Sequence, residues 1–271
     1  VSGWSRVDLC LLTRAPCMHP ASVPTPCCLV LLASVGGMGS AMAVEHYEGL
    51  AYARKGGELL YRESHWIQDQ GKRLVLYRCP NGAAFARKQV LDGDIDPDFE
   101  LVDGRDGYRE GVRTRNGVRQ VYTRTSADSA EKSKQFPVQD GQVIDAGFDV
   151  YVRQHWVAMA QPESRRVRFL VPSRLESVNF QITPLASDSN SRRYRLALDA
   201  WYGAALPSIT VTYAASDRRL MRFEGIGNIR DAAGDHPAVR IEFPANKRTR
   251  SSLAQVADAA RMPLVKGCGN S

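Results

Sequence analysis

From residue 47 to residue 243 the chain repeats one pattern, in which short runs of alternating apolar and polar side chains are separated by Gly, Asn and Asp. Successive side chains of a β-strand point to opposite faces, so a period of two describes a ribbon with one dry face and one wet face. After residue 165 the runs Val167/Phe169/Val171, Val178/Phe180/Ile182, Tyr194/Leu196/Leu198, Ile209/Val211/Tyr213, Met221/Phe223 and Val239/Ile241/Phe243 follow one another. Between them lie Arg166, Arg168, Asn179, Gln181, Arg195, Asp199, Thr210, Thr212, Arg222, Glu224, Arg240 and Glu242. This is an antiparallel meander with one buried face and one hydrated face.

The earlier part reads the same way. Segments 47–54 and 58–68 flank Lys55-Gly56-Gly57, and 72–79 follows Asp69-Gln70-Gly71. Within 113–121, Asn116-Gly117 supplies the two positive-φ positions of a type I′ hairpin turn. Between residues 145 and 161 the period changes: Phe148, Val152, Trp156 and Met159 recur every three to four residues, which predicts one amphipathic helix. A short C-terminal helix is expected over 251–261, with Ser251 or Ser252 as its cap. The expected fold is therefore mainly β, with about eleven or twelve strands. A sheet of that size with one apolar face cannot stay flat in water, so it curls into a half-barrel or open barrel around the central helix, or folds into a sandwich.

The N-terminal stretch departs from this pattern. Cys27 to Val35 forms a short apolar core, and Ala41-Met42-Ala43 carries the small residues that a signal peptidase reads. The apolar run is shorter than the about 20 residues a membrane-spanning helix needs. Residues 1–43 are expected to be a signal peptide with an upstream segment, cut after Ala43, and residues 44–271 one β-rich domain of a periplasmic or secreted protein. Two starts are open, Val1 as a literally translated GTG codon or Met18. Cys27 and Cys28 stand at the start of the apolar core rather than after it, which is the wrong order for lipid attachment.

Removing the leader takes four of the six cysteines with it and leaves Cys79 and Cys268. In an oxidising compartment these two either form one disulfide or stay as separate thiols, because spacing does not show that they meet. The leader also removes Arg6, Arg14 and Asp8, so the remainder is one unit less positive than the +7 of the whole chain. Its arginines are spread along the strands without a block of like charge, which describes a hydrated surface and excludes a nucleic-acid footprint.

No motif for a serine-hydrolase elbow, a zinc protease, a phosphate loop or haem attachment occurs, so no catalytic residue, metal site or cofactor is assigned and the chain is expected not to be an enzyme. His46, His65, His155 and His236 are far apart in sequence, and Asp94, Asp96 and Asp98 lack the glycine and final glutamate of a calcium loop. An acid–base arrangement of His155 with Asp149 and Glu163 is the weakest of the readings, since six residues do not bring two side chains together on a helix. Gly225-Ile226-Gly227-Asn228 reads as a bulge or kink between strands. Phe148, Trp156, Phe169, Phe180, Tyr194, Trp201, Tyr213 and Phe223 read either as an ordinary core or as the lining of an apolar cavity.

With Leu170-Val171-Pro172-Ser173-Arg174-Leu175 leading into a strand, and 218–231 giving strand, Gly-rich kink and strand, the chain resembles uncharacterised secreted proteobacterial proteins. Its strand inventory with one helix is similar in pattern, over 47–243, to the periplasmic lipoprotein carriers LolA and LolB. That resemblance implies a half-barrel with a helix on its concave side, where acyl chains bind. The expected function is non-catalytic binding of a hydrophobic or lipid ligand. The alternative is a structural module that meets another envelope protein through a sheet edge or its arginine-bearing face.

Overall fold

A computed structural model describes residues 43–200, 203 and 207–269. The expected leader as far as residue 42, with Ala41, and Trp201 lie outside them; Ala43 is exposed just ahead of the first strand. The strands are β1 (Val44–Ala53), β2 (Leu59–Ile67), β3 (Arg73–Arg78), β4 (Ala84–Val90), β5 (Phe99–Asp103), β6 (Arg109–Arg115), β7 (Val118–Arg124) and β8 (Lys132–Pro137) in the first half. The second half contains β9 (Gln142–Ile144), helix α1 (Gly147–Gln154), β10 (Arg165–Val171), β11 (Glu176–Leu185), β12 (Ser191–Leu198), β13 (Ile209–Ala214), β14 (Leu220–Ile226), β15 (Ala238–Glu242), β16 (Arg248–Ser251) and helix α2 (Leu253–Arg261).

All sixteen strands belong to one sheet, ordered β8-β7-β6-β5-β4-β3-β2-β1-β15-β14-β13-β12-β11-β10-β9, with β16 also paired to β1. Every pairing is antiparallel except β9 with β10. Two meanders thus meet along β1, and the sheet is mainly β, barrel-like and open: β8 and β9, its two ends, are consecutive in the chain but do not pair.

Strand β1 makes the junction by serving three neighbours. One edge pairs with β2, while the other pairs with β16 through Val44–Tyr47 and with β15 through Leu50–Ala53. Gly49 lies between those two ladders, and a Cβ there would meet Phe243 Cε1 at 2.6 Å and Ile241 Cγ2 at 3.1 Å. A side chain at that position would force Phe243 and Ile241 to shift.

The sequence expectations differ from the structure in two respects. The strand count is sixteen, because β4, β5, β8, β9 and β16 are short or carry charged residues that blur the alternation; β8 reads Lys-Ser-Lys-Gln-Phe-Pro and is almost wholly exposed. The helix expected over 145–161 is shorter. It opens at Ala146 without a side-chain cap, ends at His155, and is followed by a single 3₁₀ turn, Ala158–Ala160. Trp156 and Met159 still reach the apolar cluster beneath it, with Tyr194, Val211 and Tyr213. The Asn116-Gly117 turn has the two positive φ values expected, 51° and 73°, and Ser252 caps α2 in a capping box with Gln255.

Helix α2 covers the outer face of the first meander, where Val256 and Ala259 pack on Val44, Trp66, Leu74, Leu76 and Ala84. The tail beyond it is held at several points. Val265 N–H donates to the Ala84 carbonyl (2.8 Å), and Cys268 is disulfide-bonded to Cys79, their Cα atoms 5.4 Å apart. The bond closes a loop of 189 residues, which strongly restricts the unfolded chain. Replacing both cysteines by alanine is expected to lower the unfolding free energy by about 3–5 kcal/mol. Urea denaturation measures this, and limited trypsin digestion should then cut faster after the exposed Lys266.

Candidate functional site

Register places chemistry on the concave face. Across the first meander, Tyr47 pairs with His65, His65 with Val75, Val75 with Lys88, Lys88 with Leu101, and Leu101 with Glu110. Directly opposed residues share a face, so His65, Lys88 and Glu110 form one inward row with apolar spacers between them. Each is more than nine-tenths buried. Across the second meander the matching row is apolar throughout: Ala51, Ile241, Phe223, Val211 and Tyr194. The interior therefore has one charged side and one greasy side.

Two cavities occupy it. The smaller, about 300 Å³, is lined by the polar residues Glu63, His65, Arg73, Lys88, Asp145 and Asp149 and by apolar ones that include Phe148, Phe169, Ile209, Phe223 and Phe243. The larger, about 680 Å³, is lined by Glu110, Asp145, Ser173, Arg174 and His236 together with Phe169, Val178, Phe180, Leu196 and Leu198. Asp145, Phe169, Leu196, Ile209, Ile226, Gly227 and Asn228 belong to both, so the two spaces adjoin.

The charged side is internally matched. Lys88 Nζ donates to Asp145 Oδ1 (2.6 Å), and Arg73 Nη2 donates to Asp149 Oδ2 (3.2 Å). Asp145 immediately precedes the N-cap Ala146 and Asp149 lies in the first turn of α1, so the two ion pairs seat the start of the helix on β3 and β4. Asp145 holds this position with a left-handed φ of 44°, a region that non-glycine residues seldom occupy. Gly147 follows where a Cβ would lie 1.9 Å from the Ile95 carbonyl oxygen.

The other two members of the row, His65 and Glu110, are each hydrogen-bonded to a neighbour. His65 Nε2–H donates to Glu63 Oε2 (2.8 Å), which leaves Nδ1 as an acceptor. Burial lowers the His65 pKa against the opposing pull of Glu63, so the ring is neutral. The Tyr108 hydroxyl donates to Glu110 Oε2 (2.9 Å). Desolvation raises the Glu110 pKa from the usual 4.5 to about 7, opposed by Lys88 and reinforced by Asp145.

The aromatic residues singled out in the sequence divide between two places. Phe148, Phe169, Tyr213 and Phe223 line the smaller cavity, and Phe169 and Phe180 the larger. Trp156 and Tyr194 are packed in the cluster beneath α1. His155 Nδ1 meets the Tyr151 carbonyl, whereas Asp149 is bonded to Arg73 and Arg153. Asp96 pairs with Arg119 and Asp98 accepts from Thr114, so these carboxylates tie loops to strands. The Leu170–Leu175 stretch ends β10 and forms a turn that lines the larger cavity, and Gly227 and Asn228 of the glycine-rich kink line both. Sequence reasoning missed Glu63, His65, Arg73, Lys88 and Glu110, since a charged residue in a strand is ordinarily placed on the wet face. The available signal was β3, whose Leu74/Leu76 and Val75/Tyr77 make both faces apolar and so bury both.

No protein-family model matches the chain, and no curated protein matches it in sequence. Among solved structures it is similar to a β-barrel-like protein of a domain of unknown function from Brucella abortus, at 8% identity over 77% of this chain and 98% of that one, with a TM-score of 0.48. Among the described residues no helix is long and apolar enough to cross a membrane.

Glu110 gives a pH signature. The folded state holds its proton up to about pH 7, while the unfolded chain releases it near 4.5. Its contribution to stability is therefore fully present below about 4.5 and is lost as pH rises towards 7. Glu110→Gln is expected to remove this decline, so that the difference in unfolding free energy between mutant and wild type grows by a few kcal/mol from pH 4.5 to pH 7.5. Urea denaturation at a series of pH values reads this directly.

Proposed function

We propose that this chain is an exported protein of the cell envelope that binds a hydrophobic or amphiphilic ligand, a lipid among the candidates, on the concave side of its sheet. The adjoining cavities carry the proposal. Their combined size falls in the range of roughly 300–1,000 Å³ usual for small-molecule sites, with the expected mixture of a broad apolar lining and a few fixed polar groups. The pattern shared with acyl-chain carriers and the leader-like N-terminus support the same conclusion. A protein that only docks through a sheet edge has less in its favour. The exposed edge strand β8 carries Lys132 and Lys134, side chains that discourage edge pairing.

Native mass spectrometry of protein purified from cells without detergent should show a co-purifying small molecule that organic solvent removes. The emptied protein should then take up a fluorescent fatty probe. Leu196→Trp and Ile209→Trp place bulk where the cavities meet and should weaken probe binding about tenfold while the fold, read by circular dichroism, is kept. Absence of both co-purifying ligand and probe uptake would overturn the proposal.

A further inference from the structure

On the outside of the second meander, strand register gathers arginines that the sequence scatters. Residues directly opposed across strands share a face, and the face turned away from the apolar inner row carries Arg166 and Arg168 on β10, Arg193 and Arg195 on β12, and Arg222 on β14, all exposed. The strands between them carry neutral hydrogen-bonding groups on that face: Asn179, Gln181 and Thr183 on β11, Thr210 and Thr212 on β13. Arg166 stands opposite Gln181 and Arg168 opposite Asn179, while Arg195 has Thr183 on one side and Thr210 on the other. Rows of guanidinium thus alternate with rows of amide and hydroxyl. Arginines two residues apart on one strand are separated by about 7 Å along it, and successive arginine rows by about 10 Å, twice the distance between strands.

The acidic groups of this face stand at its margins. Asp199 is paired with Arg166, and Glu242 with Arg222 and Arg240. Among the described residues no carboxylate is paired with Arg168, Arg193 or Arg195; Arg168 Nη1 donates instead to Gln139 Oε1 (2.6 Å). The centre of the face is therefore cationic, and its guanidinium groups have the fork of donors that matches carboxylate, sulfate or phosphate. No aromatic residue stands among these outward positions. The large apolar side chains of the same rows, Leu170 and Leu185, lie towards strand ends, and Leu170 is buried. Without aromatic or aliphatic anchors the face lacks what a protein interface buries at its centre, what a peripheral protein inserts into a bilayer, and the stacking platform that a single nucleic-acid strand uses. It offers charge and hydrogen bonds alone.

We propose that the outer face of β10–β14 binds an acidic polysaccharide, whose anionic groups pair with Arg168, Arg193 and Arg195 and whose hydroxyls bond to the amide and hydroxyl rows between them. A polymer of this class presents the two complementary sets together, charged groups at intervals along a chain of sugar hydroxyls. Asn and Gln side chains both donate and accept, and Thr hydroxyls do the same, so the neutral rows suit hydroxyls that do likewise. The surface lies on the opposite side of the sheet from the cavities, and the proposal is independent of what they hold.

Fluorescein-labelled polygalacturonate, titrated into the protein at pH 7 and followed by anisotropy, tests this. It should bind, with an affinity that falls as salt is added, and unlabelled neutral dextran should not displace it. Polyglutamate, which has the carboxylates without the hydroxyls, single-stranded DNA and vesicles of phosphatidylglycerol should each compete less well than unlabelled polygalacturonate. Combining Arg168→Gln, Arg193→Gln and Arg195→Gln should weaken binding roughly tenfold, the sum expected for three exposed ion pairs, with the thermal unfolding midpoint unchanged. Lys132→Gln with Lys134→Gln, on the exposed strand β8, removes charge elsewhere and should leave binding nearly as it was. Absence of binding, or an equal loss in the lysine and arginine variants, overturns the face as a site. Equal or better competition by polyglutamate, DNA or vesicles overturns the polysaccharide as its partner. If the triple variant does not fold, Arg193→Gln and Arg195→Gln taken singly, each expected to weaken binding about twofold, decide against the same lysine control.

Discussion

The ladder between β1 and β15 holds the rest of the structure in place. It joins residues near 50 to residues near 240, a long-range pairing between the two meanders, in the register Leu50 to Glu242 through Ala53 to Val239. Each meander by itself is a chain of local hairpins with an apolar face open to water. Only when β1 accepts β15 does the charged inner row of β2–β6 come to face the apolar inner row of β12–β15, and only then is there a concave interior to fill. Gly49 makes that acceptance possible, because it gives room for Phe243 at the point where β16 leaves β1 and β15 takes over.

Burying charge in that interior carries a risk that the structure meets by pairing. A lysine or carboxylate removed from water costs several kcal/mol unless geometry and further hydrogen bonds offset it. Lys88 with Asp145 and Arg73 with Asp149 meet the condition, and they do so by recruiting the chain that enters α1. The same contacts that neutralise the row thus fix the helix on the concave side and fix the shape of the cavities. Among the charged residues beside the cavities, His65 Nδ1 and Asp145 Oδ2 are buried without a partner, and burial raises the Glu110 pKa to about 7.

The disulfide and α2 act from the outside on the same half. With Leu74 and Leu76 covered by Val256 and Ala259, and with Cys79 bonded to Cys268, strand β3 is buried on both faces. This support lies behind Val75, which stands between His65 on β2 and Lys88 on β4 in the inner row, and behind Arg73 and Tyr77, the other β3 residues on the cavity lining.

Much of the fold was legible because strand periodicity is a local property. The period-two runs from Val167 to Phe243, the Asn116-Gly117 turn and the Ser252 cap each depend on a few neighbouring residues, and each lies where those residues predict. β8 and β16 were not legible, since Lys-Ser-Lys-Gln and Arg-Thr-Arg-Ser become strands only through the partners offered by β7 and β1. Nor was the site. Phe148, Phe169, Phe180, Tyr213 and Phe223 could be named as inward-facing, but nothing local distinguishes Lys88 or Glu110 from the many charged residues on the wet face. Alternation within one strand says which residues share a face. Which face is buried, and what stands opposite it, depends on pairings between strands almost two hundred residues apart, and those are set by the closure of the whole sheet.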